Sequence, residues 1–337
     1  MIRTAATGFD PFTPAPWARN PHLQTVFASL RLRACGRNRM ADCAREAIVE
    51  AGSGVRLLGY HSRHEKGSRG LVLLLHGWEG SSGSTYILCT GRFLFDAGFD
   101  VFRFNLRDHG GSHHLNEEIF HSARIEEVFN AVRTVSTLSG PNPFSLVGFS
   151  LGGNFVLRIA LRCTDSDIPP LRQVIAINPV LDPYKATAAI DSRFAVYRNY
   201  FLKKWKRSLR MKQTLYPERY DFGEFLSVGS CMEITERLIP KYSPFRDATE
   251  YFRTYTLLGD VFRSLSVPVL ILMSEDDPII DVGDFRELRG NGNLRISLQR
   301  YGGHCGYLDP FPFGSWSDRA IRASLPGAEK NEGERER

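Results

Sequence analysis

The chain has 337 residues, of which 42% are hydrophobic and 24% charged, the balance of a globular protein with a sizeable core. The formal charge of +6 comes without any nucleic-acid-binding motif, so binding to nucleic acid is not expected. The six cysteines show no C-x-x-C spacing, which argues against a zinc site or a disulfide framework. No run is long enough for a membrane span or resembles a signal peptide, and we therefore expect a cytoplasmic protein.

The first half of the chain alternates strand and helix patterns. Residues 1–45, rich in proline, arginine and aromatic residues, predict an N-terminal arm packed on the main domain. Residues 46–62 predict a β-hairpin. The continuous apolar run Leu71–Leu75 predicts a strand buried on both faces of a sheet, and a helix over residues 85–97 and a strand over residues 101–104 follow. The pattern is typical of an α/β fold.

The alternation continues after a polar loop over residues 105–116. Apolar side chains from Ile125 to Val135 recur at helical spacing, which predicts an amphipathic helix on the sheet. Further buried strands are predicted over residues 144–147, 174–177, 267–273 and 294–298. This order predicts an α/β domain with a mostly parallel central sheet flanked by helices.

Domain boundaries follow from the places where this pattern stops. Residues 182–266 are aromatic, basic and helical in pattern, and we predict a helical lid insertion there. The core then comprises residues 46–181 and 267–325. The charged residues 326–337 predict a disordered tail.

A serine lies where the predicted central strand meets the next helix. The segment Gly148-Phe149-Ser150-Leu151-Gly152 has the G-x-S-x-G pattern of a nucleophile elbow, between a strand and a helix over residues 154–161. The glycines allow the helix to pass close over the strand, because side chains there would collide. The sequence therefore predicts Ser150 as an exposed nucleophile.

A serine nucleophile needs a histidine base, and the base needs a carboxylate. Asp276 and Asp277 follow the predicted strand that ends at Met273, and His304 follows the last strand after Gly302 and Gly303. The chain order serine, aspartate, histidine is the one that an elbow requires. Asp277 is preferred as the triad acid because it directly precedes the Pro-Ile-Ile turn, with Asp276 in a structural role.

Two backbone amides are needed to hold the oxyanion. Leu151 follows the nucleophile at a helix N-terminus, and Trp78 lies in the loop Leu75-His76-Gly77-Trp78-Glu79-Gly80 after the first long strand. We predict these two amides as the oxyanion hole. His76 is interpreted as shaping the loop, and the Trp78 side chain as a wall of the acyl pocket.

Together these motifs resemble the α/β-hydrolase superfamily over residues 45–325. More narrowly, residues 17–25, residues 105–111 and Phe120-His121-Ser122 resemble the YheT-like branch of esterases and lipid hydrolases, also grouped as the AB hydrolase 4 type. The resemblance implies hydrolysis of carboxylic esters, with lipids as substrates of the animal relatives. The chain departs from this branch at Asp108-His109, where relatives often have Gly-Cys.

Two side-chain clusters, one of histidines and one of basic residues, each have two possible interpretations. His109, His113, His114 and His121 lie near Asp108, but they lack the helical spacing of a metal site, and we interpret them as loop architecture.

Residues 193–212 carry eight basic and no acidic residues. At helical spacing Phe194, Tyr197, Phe201 and Trp205 fall on one face, and most of the charges fall on the other. The helix either contacts an anionic membrane or packs as a lid with a solvated basic face.

The sequence predicts a serine hydrolase that cleaves small-molecule carboxylic esters, with apolar acyl or lipid-like substrates, through Ser150, Asp277 and His304 and an acyl-enzyme. No cofactor and no metal are expected. A thioesterase or amidase with the same triad is the first alternative. The second is a ligand-binding protein that keeps the α/β-hydrolase fold without turnover.

Overall fold

A computed structural model describes residues 9–327 of the protein. The first eight residues of the predicted arm and the predicted tail from residue 328 onward lie outside the described residues. Within residues 9–327, no helix is both long enough and apolar enough to cross a membrane.

Eight strands form one sheet with the order β1-β2-β4-β3-β5-β6-β7-β8. β2 pairs antiparallel with both β1 and β4, and the other neighbours are parallel. The strands are β1 (Arg45–Glu50), β2 (Arg56–Ser62), β3 (Leu71–Leu75), β4 (Asp100–Phe104), β5 (Phe144–Phe149), β6 (Leu171–Ile177), β7 (Val269–Ser274) and β8 (Leu294–Gln299). Because the strands from β3 to β8 run the same way, their carboxyl ends meet at one edge of the sheet.

Helices cover both faces of the sheet and fill the segment between β6 and β7. Within the described residues they are α1 (Pro21–Ala28), α2 (Arg39–Asp42), α3 (Thr85–Asp96), α4 (Ile125–Ser136), α5 (Leu151–Arg162), α6 (Pro183–Ser192), α7 (Ala195–Leu215), α8 (Gly223–Leu226), α9 (Cys231–Tyr242), α10 (Ala248–Arg253), α11 (Gly283–Arg286) and α12 (Trp316–Ser324). Short 3₁₀ turns lie at Pro16–Ala18, Arg31–Ala34 and Thr137–Ser139.

The central strands are buried on both faces. In β3, Leu71, Leu73 and Leu75 contribute to the core shared with α4 and α5, while Val72 and Leu74 contribute to the core shared with α3 and α12. Since side chains of a strand alternate between faces, a strand with a core on each side must be apolar at every position. This explains the unbroken apolar run of the sequence.

The α/β fold with a mostly parallel sheet flanked by helices is confirmed. The strand predicted over residues 267–273 begins two residues later and ends one residue later, as β7 runs from Val269, after Pro268, to Ser274. Proline has no amide hydrogen to donate to a neighbouring strand, and it therefore marks the strand's start.

Helices α6–α10 lie between β6 and β7, in the segment predicted as a lid. One buried ion pair fastens this segment to the core: Lys212 Nζ, on α7, lies 2.8 Å from Asp108 Oδ1 and 2.6 Å from the Asn116 carbonyl oxygen. The Lys212 side chain is only 1% exposed. Lys212 is one of the eight basic residues of residues 193–212, and it lies outside the exposed basic side because its ammonium replaces water with buried oxygen acceptors.

Candidate active site

Ser150 forms the junction between β5 and α5 with φ at 55°, in the left-handed backbone region. A non-glycine residue adopts this conformation only when its surroundings enforce it. Two glycines make room for it: a Cβ on Gly148 would collide with the Gly152 carbonyl, and a Cβ on Gly152 would collide with the carbonyls of Leu75 and His76. The close crossing of strand and helix projects the Ser150 hydroxyl from a sharp turn.

The three predicted triad side chains meet at the carboxyl edge of the sheet. Ser150 Oγ lies 2.9 Å from His304 Nε2, and His304 Nδ1 lies 2.8 Å from Asp277 Oδ2. Ser150 follows β5, Asp277 follows β7 and His304 follows β8. The arrangement gives the imidazole one nitrogen for the hydroxyl and one for the carboxylate, as a base-activated nucleophile requires.

The Asp277 carboxylate is buried, and both of its oxygens accept hydrogen bonds. Oδ1 accepts from the backbone N–H groups of Ile279 and Ile280 at 2.8 and 3.0 Å. Oδ2 accepts from His304 and, at 2.6 Å, from the side-chain amide of Asn178. These bonds hold the carboxylate in one orientation.

Asp276 accepts a 2.8 Å hydrogen bond from the Gly303 N–H, whereas the His304 ring bonds Asp277. Burial raises the pKa of Asp276 to about 6. Its contact is with the loop backbone that precedes His304, so its position fits the structural role expected of it.

Asn178 is a site residue that the sequence analysis missed. It follows β6 with φ at 43°, and its side-chain amide also donates to Ser274 Oγ at 3.0 Å and to the Gly303 carbonyl at 3.1 Å. The buried Tyr307 hydroxyl donates to Asn178 Oδ1 at 2.7 Å. Its place directly after a predicted strand was the one available signal, because polar residues at that edge of a parallel sheet converge on the site.

The hydrogen bonds made by backbone N–H groups near Ser150 bear on the predicted oxyanion hole. In the loop after β3, the N–H of Gly77 donates to the Tyr86 hydroxyl, that of Glu79 to His109 Nε2 and that of Gly80 to the Gly77 carbonyl. Within residues 9–327, the N–H groups of Trp78 and Leu151 donate to no backbone carbonyl. These are the two amides predicted for the oxyanion hole, and that role stays a prediction.

His76 lies beneath this loop, fully buried. Its Nδ1 lies 2.7 Å from the Gly77 carbonyl oxygen, and its Nε2 accepts from the Leu106 N–H at 3.2 Å. Burial, reinforced by the neighbouring His109, holds the pKa of His76 well below its usual value. A neutral imidazole that bridges two backbone groups agrees with the interpretation of His76 as a loop-shaping residue.

A cavity of about 90 Å³ opens onto Ser150 and His304 beneath the inserted helices. Trp78 forms part of its wall and stacks on Phe201 of α7 with ring centroids 5.1 Å apart. Further apolar lining comes from Leu151, Ile190, Trp205, Leu238, Ile239, Phe252 and Ile279. The space beside the nucleophile is therefore apolar.

The aromatic face of α7 points toward this cavity, since Phe201 and Trp205 line it and Tyr197 is buried. Phe194, expected on the same face, lies at the helix N-cap and is 40% exposed, with its ring centroid 5.5 Å from that of Tyr197. The exposed basic residues of the segment are Arg193, Lys203, Arg207 and Arg210. Contact with an anionic membrane through this basic side stays a prediction.

The histidine-rich loop is used for packing and hydrogen bonds. Asp108 has φ at 58°, a conformation that favours glycine, and its Oδ2 accepts from the Phe120 N–H at 2.8 Å. His113 Nε2 lies 2.7 Å from Ser208 Oγ on α7, and the His121 ring packs edge-on against Tyr251. Among the described residues, no group of three or more histidine, cysteine or carboxylate side chains is placed to hold a metal ion.

Comparison with known proteins agrees with this architecture. A family model described as alpha/beta hydrolase fold matches residues 70–203. An esterase, RhEst1 from Rhodococcus sp. ECU1013, has a TM-score of 0.51 at 19% identity, covering 84% of this chain and 99% of that one. A membrane phospholipase A has a TM-score of 0.52 at 17% identity, covering 91% and 92%. The chain therefore has the α/β-hydrolase fold.

Curated relatives narrow the comparison. YheT of Escherichia coli (strain K12), which is named as an unproven esterase, is 24% identical over 88% of this chain and 87% of its own length. Phospholipase ABHD3 of Bos taurus is 22% identical over 74% of this chain. The chain spans only 61% of that relative. Within the α/β-hydrolases, the resemblance to the YheT-like branch is thus confirmed.

The two neighbouring aspartates allow a matched test. We expect Asp277→Asn to lower kcat for ester hydrolysis by about 10⁴-fold, because the imidazole loses the carboxylate that sets its tautomer and stabilises its positive charge. Asp276→Asn keeps an acceptor for the Gly303 N–H and should stay within about tenfold of wild type. Steady-state kinetics on p-nitrophenyl butyrate measure both. A larger loss in Asp276→Asn would show that the acid is assigned to the wrong residue.

Proposed function

We propose that the protein is a serine hydrolase that cleaves carboxylic esters with small apolar acyl groups through an acyl-enzyme. The observation that carries the proposal is the unbroken chain of contacts from Ser150 Oγ through His304 to Asp277. Relatives named as an esterase and as phospholipases support ester hydrolysis as the reaction class.

In the proposed mechanism, His304 Nε2 takes the proton of Ser150 as its Oγ attacks the ester carbonyl carbon. The resulting oxyanion accepts hydrogen bonds from the N–H groups of Trp78 and Leu151. The imidazolium then gives its proton to the departing alcohol, which leaves an acyl group on Ser150. A water molecule, deprotonated by the same imidazole, attacks the acyl-enzyme and releases the acid.

The cavity supports the choice of acyl group. An apolar cavity of roughly 150 Å³ holds benzene, so about 90 Å³ beside Ser150 has room for about three or four carbon atoms. A longer chain must displace an aromatic side chain such as Phe201 or Trp205, and both are packed against Trp78. Forcing extra methylenes into a well-filled interior is unfavourable, because the surrounding side chains must leave their preferred rotamers.

A fluorophosphonate probe tests whether Ser150 is a nucleophile. We expect one probe molecule per chain, attached at Ser150, and no labelling of Ser150→Ala, with esterase activity reduced by about 10⁶-fold. Intact-protein mass spectrometry and peptide mapping measure the adduct. Probe attachment elsewhere, or a folded wild-type protein that reacts with neither probe nor ester, would instead support a ligand-binding protein.

A graded series of p-nitrophenyl esters tests the acyl pocket. We expect kcat/KM to be highest from acetate to butyrate and at least tenfold lower for octanoate and longer chains, because each added methylene no longer finds apolar space. Replacement of Trp205 by alanine should shift the optimum toward longer chains. Equal or rising kcat/KM through dodecanoate in the wild-type protein would contradict the small acyl pocket. Thioester and anilide analogues of the preferred acyl group separate an esterase from a thioesterase or amidase.

We also propose that the exposed basic side of α7 brings the protein to anionic lipid surfaces, where apolar esters dissolve. Each lysine or arginine near such a surface contributes about 1 kcal/mol of attraction. Replacing all four exposed basic residues by glutamine should reduce binding to vesicles of phosphatidylcholine and phosphatidylserine at 4:1 by at least tenfold in a sedimentation assay. The four residues are Arg193, Lys203, Arg207 and Arg210.

The control is a second variant with the same change in charge on other surfaces of the molecule. In this control variant the exposed residues Arg45, Arg63, Lys66 and Arg133 are replaced by glutamine. This variant should bind the anionic vesicles as the wild type does. Equal loss in both variants would assign binding to net charge rather than to α7, and absence of wild-type binding would remove the membrane proposal.

A further inference from the structure

Helix α1 of the N-terminal arm contacts the loop that carries His304. Thr25 Oγ1 accepts a 2.9 Å hydrogen bond from the His304 N–H, and the same hydroxyl donates to the Pro21 carbonyl at 2.7 Å. Gln24 Oε1 accepts from the Leu308 N–H at 2.7 Å. The arm thus binds the backbone at both ends of the segment from His304 to Leu308.

The His304 loop needs such support, because its backbone is strained. Cys305 and Tyr307 have φ at 58° and 48°, and Gly303 has φ at 56°. Non-glycine residues hold left-handed conformations only where their surroundings over-determine them. The packing is tight enough to do so: a Cβ on Gly303 would collide with the Pro21 carbonyl, and one on Gly306 would lie 2.7 Å from the Gln24 carbonyl.

The local sequence fixes the position of α1. The Asn20 side chain accepts from the N–H groups of His22 and Leu23 at 2.9 and 3.1 Å, and Pro21 occupies the first helical position. A capping asparagine followed by proline starts a helix at a defined residue. Gln24 is fully buried, and its Nε2 donates to the Ala18 carbonyl at 2.7 Å. The helix is therefore held in register against the loop.

The same helix also contacts α7. His22 Nδ1 lies 2.8 Å from the Tyr197 hydroxyl, and the His22 ring lies 4.8 Å from that of Phe194. Because α7 also carries Phe201, which lines the cavity beside Ser150, α1 contacts both the His304 loop and the helix that lines the cavity.

We propose that α1 is a positioning element for the base, in which the Thr25 hydroxyl holds the His304 backbone so that Nε2 stays within reach of Ser150 Oγ. This inference rests on the proposed hydrolase function. Thr25 is a positioning residue, because it contacts the backbone of His304 and none of the reacting atoms. A displacement of the base by about 1 Å is enough to reduce the rate of a reaction by about 10²-fold.

The test compares Thr25→Val, which has nearly the same shape without the hydroxyl, with Thr25→Ser, which retains it. We expect Thr25→Val to lower kcat on p-nitrophenyl butyrate by roughly 10- to 100-fold with KM changed by less than about twofold. Thr25→Ser should recover kcat to within about threefold of wild type. Val26→Ala, at a position of α1 that is 49% exposed, is the control and should keep wild-type kinetics.

Amide hydrogen exchange of the peptide over residues 302–308 provides a second readout that needs no catalysis. Exchange should be at least tenfold faster in Thr25→Val than in wild type and Thr25→Ser, because the His304 N–H loses its acceptor. If Thr25→Val does not fold, Thr25→Ala takes its place in the same comparison.

Wild-type kcat and exchange in Thr25→Val, or equal losses in Thr25→Ser, would overturn the inference. A wild-type protein without ester hydrolysis would remove the proposed function alone, since the exchange comparison still tests the contact with α1.

Discussion

The left-handed backbone of Ser150 is the constraint on which the rest of the site depends. It holds because α5 packs without intervening side chains against β5 at Gly148 and against the end of β3 at Gly152. The same crossing places the Leu151 N–H at the helix N-terminus, next to the serine hydroxyl. One local conformation therefore fixes both the candidate nucleophile and one oxyanion donor.

Convergence at one sheet edge supplies the other groups. Asp277, His304 and Asn178 follow three different parallel strands, and each loop ends within hydrogen-bonding distance of another. Because parallel strands end together, residues about 150 positions apart in the chain meet without long excursions of the backbone. The buried Lys212–Asp108 pair joins α7 of the inserted helices to the loop after β4, and it holds α7 above the cavity.

Much of this arrangement could be predicted from local patterns. The apolar strands, the elbow around Ser150 and the order of Asp277 and His304 can each be recognised from a short segment of sequence. In the structure these side chains lie where the strand order requires. The residues that escaped prediction act through distant partners. Asn178, Thr25 and Lys212 are ordinary polar residues in the sequence, and their importance comes from contacts across about 100 positions or more. No periodicity or motif reports such contacts, because they depend on how whole elements pack.

The central claim is that Ser150 attacks a carbonyl whose oxygen is held by the Trp78 and Leu151 amides. A crystal structure of the protein trapped with a short alkyl phosphonate measures this directly, since the phosphonyl oxygen stands in for the oxyanion. We expect phosphorus bonded to Ser150 Oγ, with that oxygen about 2.7–3.1 Å from both nitrogens. Phosphorus on another side chain, or an oxygen that contacts neither amide, would contradict the account.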